Sequence, residues 1–164
     1  MGATSDELTA SAIVAPAVSG SHILRIDGYS RTKGLGNGKF IASEKFSVGD
    51  HCWCLKYYPD SHCLKNSDCI SIFLHLANNT VHEVKAIFRI SLLDQDGNPL
   101  PSFRKLSTLC SFSRSQHSMG YELIKRSDLE ESVYLKDDIF SVRCDVTVAK
   151  EIFTKALPIS DVFK

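Results

Sequence analysis

The stretch from Ile139 to Val148 constrains the fold of this chain more than any other feature of its sequence. From Phe140 onward, apolar side chains occupy every second position, and polar side chains stand between them. This two-residue period is that of a β-strand with one buried face and one solvent-facing face. A strand of that kind needs partner strands and a second layer to cover its apolar face. The chain is therefore expected to be built from packed sheets.

Several other segments repeat this alternation. Ile70 to Leu76 and Val84 to Leu92 each place apolar residues on one face, and Trp53 shares a face with Leu55 and Tyr57. Each of these segments therefore predicts a half-buried strand. Weaker candidates for strands are Leu24 with Ile26, Lys105 to Ser113, and Met119 to Ile124.

Turns rich in glycine and asparagine separate the predicted strands. The Asp96-Gly97 pair supplies the positive φ that a tight hairpin requires. A single short helix is predicted after Ser127, because Ser127 and Glu130 have the spacing of a capping box. Residues 1–19 lack periodicity and are predicted to be a disordered tail. Seven or eight short strands and one short helix predict an all-β fold, an antiparallel β-sandwich.

Charge and hydropathy exclude two classes of partner. Nineteen basic residues balance nineteen acidic ones in the 164-residue chain, so nucleic acid is not expected as the main ligand. The longest uncharged stretch, Leu8 to Leu24, is too short and too polar to span a membrane. No basic region precedes Arg25 to begin a signal peptide. We therefore expect an intracellular protein of the cytoplasm or nucleus.

The cysteines give no sign of a metal site. None of them forms a C-x-x-C motif, and the pairs His51-Cys52 and His62-Cys63 match no usual zinc spacing. In a reducing compartment, free thiols are expected. The six residues are Cys52, Cys54, Cys63, Cys69, Cys110 and Cys144.

No catalytic motif stands out either. The glycine-rich segment Lys33 to Phe40 lacks the hydroxyl residue and the following helix of a phosphate-binding loop. There is no G-x-S-x-G nucleophile motif, and the histidines are scattered. We therefore predict neither an active site nor a cofactor, and an interaction module remains.

Large apolar residues on polar faces are the candidates for that interaction. Phe73 lies among the positions that face away from the apolar stripe of its strand. An aromatic ring at such a position either covers an edge of the sheet or lines a ligand groove. Met119 and Tyr121, in a segment between polar loops, leave the same two alternatives open.

Several blocks of sequence resemble the MATH domain, also called the TRAF-homology domain. The resemblance is strongest to plant MATH-BTB proteins and covers about Ser21 to Glu151. It is carried by SHILRIDGYSRTKGLGNGKF (Ser21–Phe40), FSVGDHCWCLKYYPD (Phe46–Asp60), ISIFLHL (Ile70–Leu76), EVKAIFRISLLDQDG (Glu83–Gly97), MGYELIKRSDLE (Met119–Glu130) and YLKDDIFSVRCDVTV (Tyr134–Val148).

The resemblance implies a fold and a function. MATH domains are eight-stranded β-sandwiches, and those similar to the speckle-type POZ protein bind short Ser/Thr-rich degron peptides as an added strand. In those adaptors a BTB domain then docks on a cullin-3 ubiquitin ligase. The implied organisation here is a MATH domain over residues 20–150 and a C-terminal tail over 151–164, where a BTB domain would begin.

The resemblance also implies a peptide-binding groove. Its aromatic residues correspond to Phe73, Phe88 and Tyr121, although alternation also permits Phe88 to be a core residue that reaches the groove floor. Two positions depart from the family, since Met119 replaces a tryptophan and Cys110 replaces a tyrosine. A changed peptide specificity is therefore expected. The predicted groove residues are Phe73, Phe88, Cys110, Ser118, Met119, Gly120 and Tyr121.

The last residues of the sequence bear on the partners. The segment Lys155 to Lys164 contains no BTB domain, so we expect a monomer and no cullin docking by this chain alone. The alternative to a ligase-linked role is a MATH-only protein that binds partners, or competes for them, without a link to ubiquitin. A MATH-bearing deubiquitinase is disfavoured because no Cys-His catalytic domain fits in the remaining residues.

Overall fold

Two antiparallel sheets, packed face to face, form most of the protein in a computed structural model that describes residues 6–78, 80 and 82–164. Each sheet has five strands, and a separate two-stranded ribbon joins the two ends of the chain. The predicted all-β sandwich with one short helix is confirmed. The described residues form twelve strands because several short segments pair with a longer neighbour.

The first sheet is built around β11 (Ile139–Ala149). This strand pairs with β2 (Ala17–Asp27) on one side and with β7 (Val84–Leu93) on the other. Alternate positions of β11 are buried, as its two-residue period predicts. Strands β8 (Pro99–Leu106) and β9 (Cys110–Phe112) both pair with β7 and complete what we call the β11 sheet.

The second sheet is built around β6 (Cys69–Leu76). It pairs with β5 (His51–Tyr58) on one side and with β10 (Ser118–Lys125) on the other. Two short strands, β3 (Ile41–Ala42) and β4 (Phe46–Val48), pair with β5. In this β6 sheet, β10 therefore forms one edge, and that edge carries four of the predicted groove residues.

Aromatic rings fill the space between the two sheets. The Trp53 ring meets the Phe112 ring edge-on, with 5.0 Å between centroids, and Phe112 lies 6.2 Å from Phe88. The Trp53 indole N–H donates to the carbonyl of Val48 at 3.1 Å. All three rings are fully buried, so they link β5, β7 and β9 across the sandwich.

The ribbon corrects one prediction from the sequence. Strand β1 (Ala10–Val14) pairs with β12 (Phe153–Leu157), and β2 begins at Ala17. The disordered tail predicted over residues 1–19 is therefore wrong from Ala10 onward, and residues 1–5 lie outside the described part. The partner of β1 comes from the far end of the chain, and no local pattern reports such a pairing.

The short helix is also placed differently from the prediction. Helix α1 (Arg126–Glu131) begins before Ser127, and no side chain caps its first turn. The predicted capping box is therefore wrong. The helix start is held instead by Arg126, whose backbone amide donates to Asp68 O at 2.8 Å and whose guanidinium donates to Ser67 O at 2.6 Å.

Two loop predictions have different outcomes. Gly97 has a φ of +84° in the connection between β7 and β8, which confirms the predicted hairpin. The strand predicted from Lys105 to Ser113 is instead divided between β8 and β9. The division occurs where buried Ser107 bonds Phe88, with its Oγ accepting from the Phe88 amide at 2.8 Å.

The glycine-rich loop after β2 is organised by a carboxylate from elsewhere in the chain. The Asp60 side chain accepts hydrogen bonds from the amides of Gly34 (3.2 Å) and Gly36 (2.8 Å). Arg126 lies 3.8 Å from the same carboxylate. The loop leads into strand β3, so the interstrand loop predicted for this segment is confirmed.

Candidate functional site

Strand β10 offers an edge to which an extended segment can add. Its partner on one side is β6, and the Leu76 amide donates to the carbonyl of His117 at 2.8 Å just before β10 begins. Backbone groups of an antiparallel strand alternate in direction. The N–H and C=O groups of Ser118 and Gly120 are therefore directed away from β6.

The side of β10 that faces the β11 sheet carries Met119 and Tyr121. Met119 is opposite Leu74 and Tyr121 is opposite Ile72, and both partners are fully buried. Met119 and Tyr121 are themselves only half-buried and pack against the core. We call this the inner side of the site.

Two further predicted residues lie on the inner side. Phe88 is a core residue, 1% exposed, and its ring centroid lies 5.8 Å from that of Tyr121. Phe88 therefore supports the Tyr121 ring and offers almost no surface of its own. Cys110 is half-buried against the same core. Burial raises the pKa of the Tyr121 hydroxyl, and the nearby Cys110 thiol adds to this effect.

The opposite side of β10, which we call the outer side, depends on a glycine. Gly120 pairs with Phe73 of β6. A Cβ at residue 120 would collide with the carbonyl of Ile72 and with the ring of Phe73. The Phe73 ring therefore lies over Gly120, where only a glycine leaves room for it.

Phe73 belongs to a cluster of rings that the sequence alone did not predict. Its ring lies 4.7 Å from His62 and 5.2 Å from Tyr58, and Tyr58 lies 5.4 Å from Phe40. The Lys56 ammonium is 4.5 Å from the centroid of Phe40. The alternation of β5 indicates that Tyr58 and Lys56 share a face, but His62 and Phe40 are in loops that carry no periodic signal.

The predicted residues thus form two groups. Phe88, Cys110, Met119 and Tyr121 come together on the inner side, while Phe73 lies on the outer side. Gly120 separates the groups, because its missing side chain exposes the Phe73 ring at the edge. Ser118 also lies on the outer side, where its Oγ is 2.6 Å from Nδ1 of His75.

Two histidines lie beside Ser118 on the outer side. The rings of His75 and His117 are 4.9 Å apart. The pKa of His75 is lowered to about 4, chiefly by burial and then by the charges of Lys56 and His117. Protonation of His75 is therefore disfavoured, first because its ring is buried and then because of these neighbouring groups.

No metal-binding arrangement emerges in the described part of the chain. Over residues 6–78, 80 and 82–164, no three His, Cys, Asp or Glu side chains are grouped so that they could hold a metal ion. No helix of this part is long and apolar enough to cross a membrane. The edge of β10 is the candidate functional site.

Comparison with protein families identifies the same stretch that forms the sandwich. A family model described as the MATH domain matches residues 21–146. This range includes every strand of the two five-stranded sheets in whole or in large part, and all seven predicted groove residues.

Curated relatives agree with the family match. The chain is 39% identical over 153 residues to BTB/POZ and MATH domain-containing protein 5 of Arabidopsis thaliana, which covers 85% of this chain and 36% of the relative. It is 37% identical over 153 residues to protein 4 of the same series, with 85% and 32% covered. It is 32% identical over 124 residues to TD and POZ domain-containing protein 4 of Mus musculus, with 71% and 32% covered. The chain thus spans about a third of these relatives.

Proposed function

Because this chain belongs to the MATH domain family, we propose that it is a non-catalytic protein-interaction domain that binds short Ser/Thr-rich peptides along β10. The observation that supports this proposal most directly is the edge of β10. Its outward backbone groups at Ser118 and Gly120 have aromatic side chains on both sides, Tyr121 on the inner side and Phe73 on the outer side. Peptide addition to a sheet edge uses this combination of backbone bonds and side-chain contacts.

The peptide would divide its side chains between the two sides of the site. In an added strand, successive side chains point to opposite faces. One set would contact Tyr121 and Met119, and the other would contact Phe73 above Gly120. Backbone bonds give affinity without regard to sequence, so the two sets of side chains set the specificity.

Met119 and Cys110 would shape the inner side. Each is smaller than the aromatic residue that is usual for the family, so the inner side has room for a larger peptide side chain. Methionine also adapts its shape to different partners. We therefore propose that this domain accepts apolar peptide residues that a narrower groove would exclude.

Removal of the two rings tests the binding site. A fluorescent Ser/Thr-rich peptide is titrated against the wild type, Phe73→Ala and Tyr121→Ala, with circular dichroism to verify folding. Aromatic residues that anchor an interface often contribute about 2 kcal/mol or more, which is roughly a 30-fold loss of affinity. Phe153→Ala, on the exposed ribbon strand β12, is the matched control and should bind as the wild type does.

Two outcomes would count against the proposal. If Phe73→Ala and Tyr121→Ala bind as tightly as the wild type, the peptide site lies elsewhere. If no Ser/Thr-rich peptide binds the wild type, this chain does not have the expected specificity.

A role in ubiquitination is the wider part of the proposal. The BTB/POZ and MATH domain-containing relatives support a role as the substrate-recognition part of a cullin-3 adaptor, in the cytoplasm or nucleus. Residues 20–150 would supply the binding domain, and the chain would be a monomer without a BTB partner. Co-purification with cullin-3 and a BTB protein, detected by antibody, tests this link. Binding of peptides without either protein would favour the alternative, a MATH protein with no link to the ligase.

A further inference from the structure

A polar cavity lies at the end of the site where β10 begins. Its volume is about 250 Å³, it is open to solvent on one side, and it is lined by the end of β6, the loop after it, and the loop between β9 and β10. Apart from Leu76 and Ala77, its walls are polar. The polar residues are His75, Asn78, Thr80, Ser113, Arg114 and His117.

Arg114 supplies the positive charge at this cavity. No Asp or Glu is among the described residues that line it. Arg114 is exposed and forms no ion pair within the described part of the chain. Lys56 lies close enough to act on His75 electrostatically. The cavity is therefore suited to a negatively charged group and unsuited to a cation.

The cavity is also in register with a peptide on β10. Gly120 pairs with Phe73, and two residues earlier Ser118 pairs with His75 on the same outer side. Neighbouring side chains on one face of a strand are about 7 Å apart. A peptide residue two positions from the one over Gly120 would therefore reach Ser118 and His117, at the mouth of the cavity.

We propose that this cavity binds an anionic side chain of the peptide, either a phosphorylated Ser or Thr or an Asp or Glu. The inference rests on the proposed function, because it assumes that the peptide adds to β10. Arg114 supplies the planar pair of N–H donors that fits phosphate or carboxylate oxygens. His117 and the hydroxyl group of Ser113 supply further donors. Modification of a Ser/Thr-rich partner would then strengthen its binding.

A set of matched peptides tests the inference. Each Ser or Thr of a fluorescent Ser/Thr-rich peptide is replaced in turn by its phosphorylated form, by Asp and by Glu. One phosphorylated position should bind about tenfold more tightly than the unmodified peptide, since hydrogen bonds to charged groups are stronger than neutral ones. This ratio should fall as salt is added. The Asp and Glu peptides show whether the cavity binds only phosphate or binds carboxylates as well.

Variants assign the effect to the cavity. Arg114→Gln should remove most of the ratio between charged and unmodified peptides. Arg25→Gln is the matched control, because Arg25 is an exposed arginine on β2 that pairs with Asp27, away from the cavity, and it should keep the full ratio. Tyr121→Ala should weaken both peptides alike.

The outcomes separate this inference from the proposed function. If the unmodified peptide binds and Tyr121→Ala weakens it, but no anionic position binds more tightly, the inference is wrong and the proposed function stands. The same holds if the ratio survives in Arg114→Gln. If neither unmodified nor anionic peptides bind the wild type, both proposals are wrong.

Discussion

The two sides of β10 pack against different parts of the protein. On the inner side, Tyr121 contacts Phe88, and the Phe88 ring continues through Phe112 to Trp53 in the centre of the sandwich. On the outer side, Phe73 rests among rings that partly belong to loops, such as His62. The inner side is thus part of the core, while the outer side is an addition to the surface.

This difference predicts how each side responds to change. Substitutions that reach the inner side should alter stability and binding together, because the same rings serve both. Substitutions on the outer side should alter binding with smaller effects on stability. The inner side therefore constrains the sequence more strongly, and the outer side has more freedom to vary.

Trp53→Ala should produce the largest loss of stability, because it removes the buried ring on which the aromatic residues of the inner side pack. Trp53 is fully buried, and truncation of a large core aromatic typically costs about 3–5 kcal/mol. That is a large part of the stability of a domain of this size. We expect a much lower melting temperature and denaturant midpoint, or no folded protein. Phe153→Ala, with an exposed ring, is the control. A midpoint for Trp53→Ala near that of the wild type would show that the inner rings do not stabilise the fold.

Gly120→Ala should affect both sides at once. The added methyl group would meet the Ile72 carbonyl and the Phe73 ring, so β10 must shift away from β6. Overpacking of this kind costs about 1–3 kcal/mol, and the shifted edge should also lose peptide binding. Both effects are measured, by denaturant unfolding and by peptide titration.

Gly97→Ala is the matched control for that substitution. Gly97 has a positive φ but no neighbour within 4 Å of an added Cβ. It should show the strain of a left-handed residue and retain peptide binding. Equal loss of binding in both variants would mean that peptide binding does not depend on the space that Gly120 leaves.

Met119→Trp should strengthen peptide binding at the inner side, with a smaller effect than the substitutions above. The indole adds aromatic contact area beside Tyr121. We expect binding of a Ser/Thr-rich peptide to tighten by about tenfold, which is less than the effect of a whole aromatic anchor because methionine already supplies part of the contact. Met119→Leu, which keeps a side chain of similar size without a ring, should leave affinity unchanged. Weaker binding by Met119→Trp would indicate that the peptide needs the space that methionine leaves.

Thiol labelling should distinguish the two sides without changing stability. All six cysteines should react in the unfolded protein, and Cys144 should react slowest in the native one, since burial raises its pKa and blocks access. A bound peptide should protect Cys110, which lies beside Tyr121, and leave Cys52 on β5 unprotected. Mass spectrometry of labelled peptides measures this, and equal protection of both thiols would speak against a site on β10.

Much of the sandwich could be predicted from the sequence because its strands carry a strong local signal. The alternation from Phe140 to Val148 places the centre of the β11 sheet correctly. Strand β1 escaped prediction because its partner Phe153–Leu157 is remote in sequence. The capping box at Ser127 failed because tertiary bonds from Arg126 fix the helix start. Local patterns therefore identified the long buried strands. They missed strand β1 and the start of helix α1, which depend on contacts between residues remote in sequence.

The residues of the candidate site were predicted one by one, but their division into two sides was predicted only in part. Alternation alone places Phe73 outward and Phe88 inward. The face of Tyr121 follows only from the register of β10 against β6, which the sequence does not specify. The contribution of His62 depends on how a loop folds over the sheet. The cavity beside His117 likewise needs two loops to meet.

The ribbon of β1 and β12 has a mechanical consequence. Ala10 lies opposite Leu157 and Val14 lies opposite Phe153, so both chain ends leave from the same end of the ribbon. A pulling force on the two ends would open this ribbon one pair at a time, like a zipper, before any load reaches β2 and β11. Because backbone pairs that open singly resist little force, the ribbon would yield first and leave the β10 edge intact under tension.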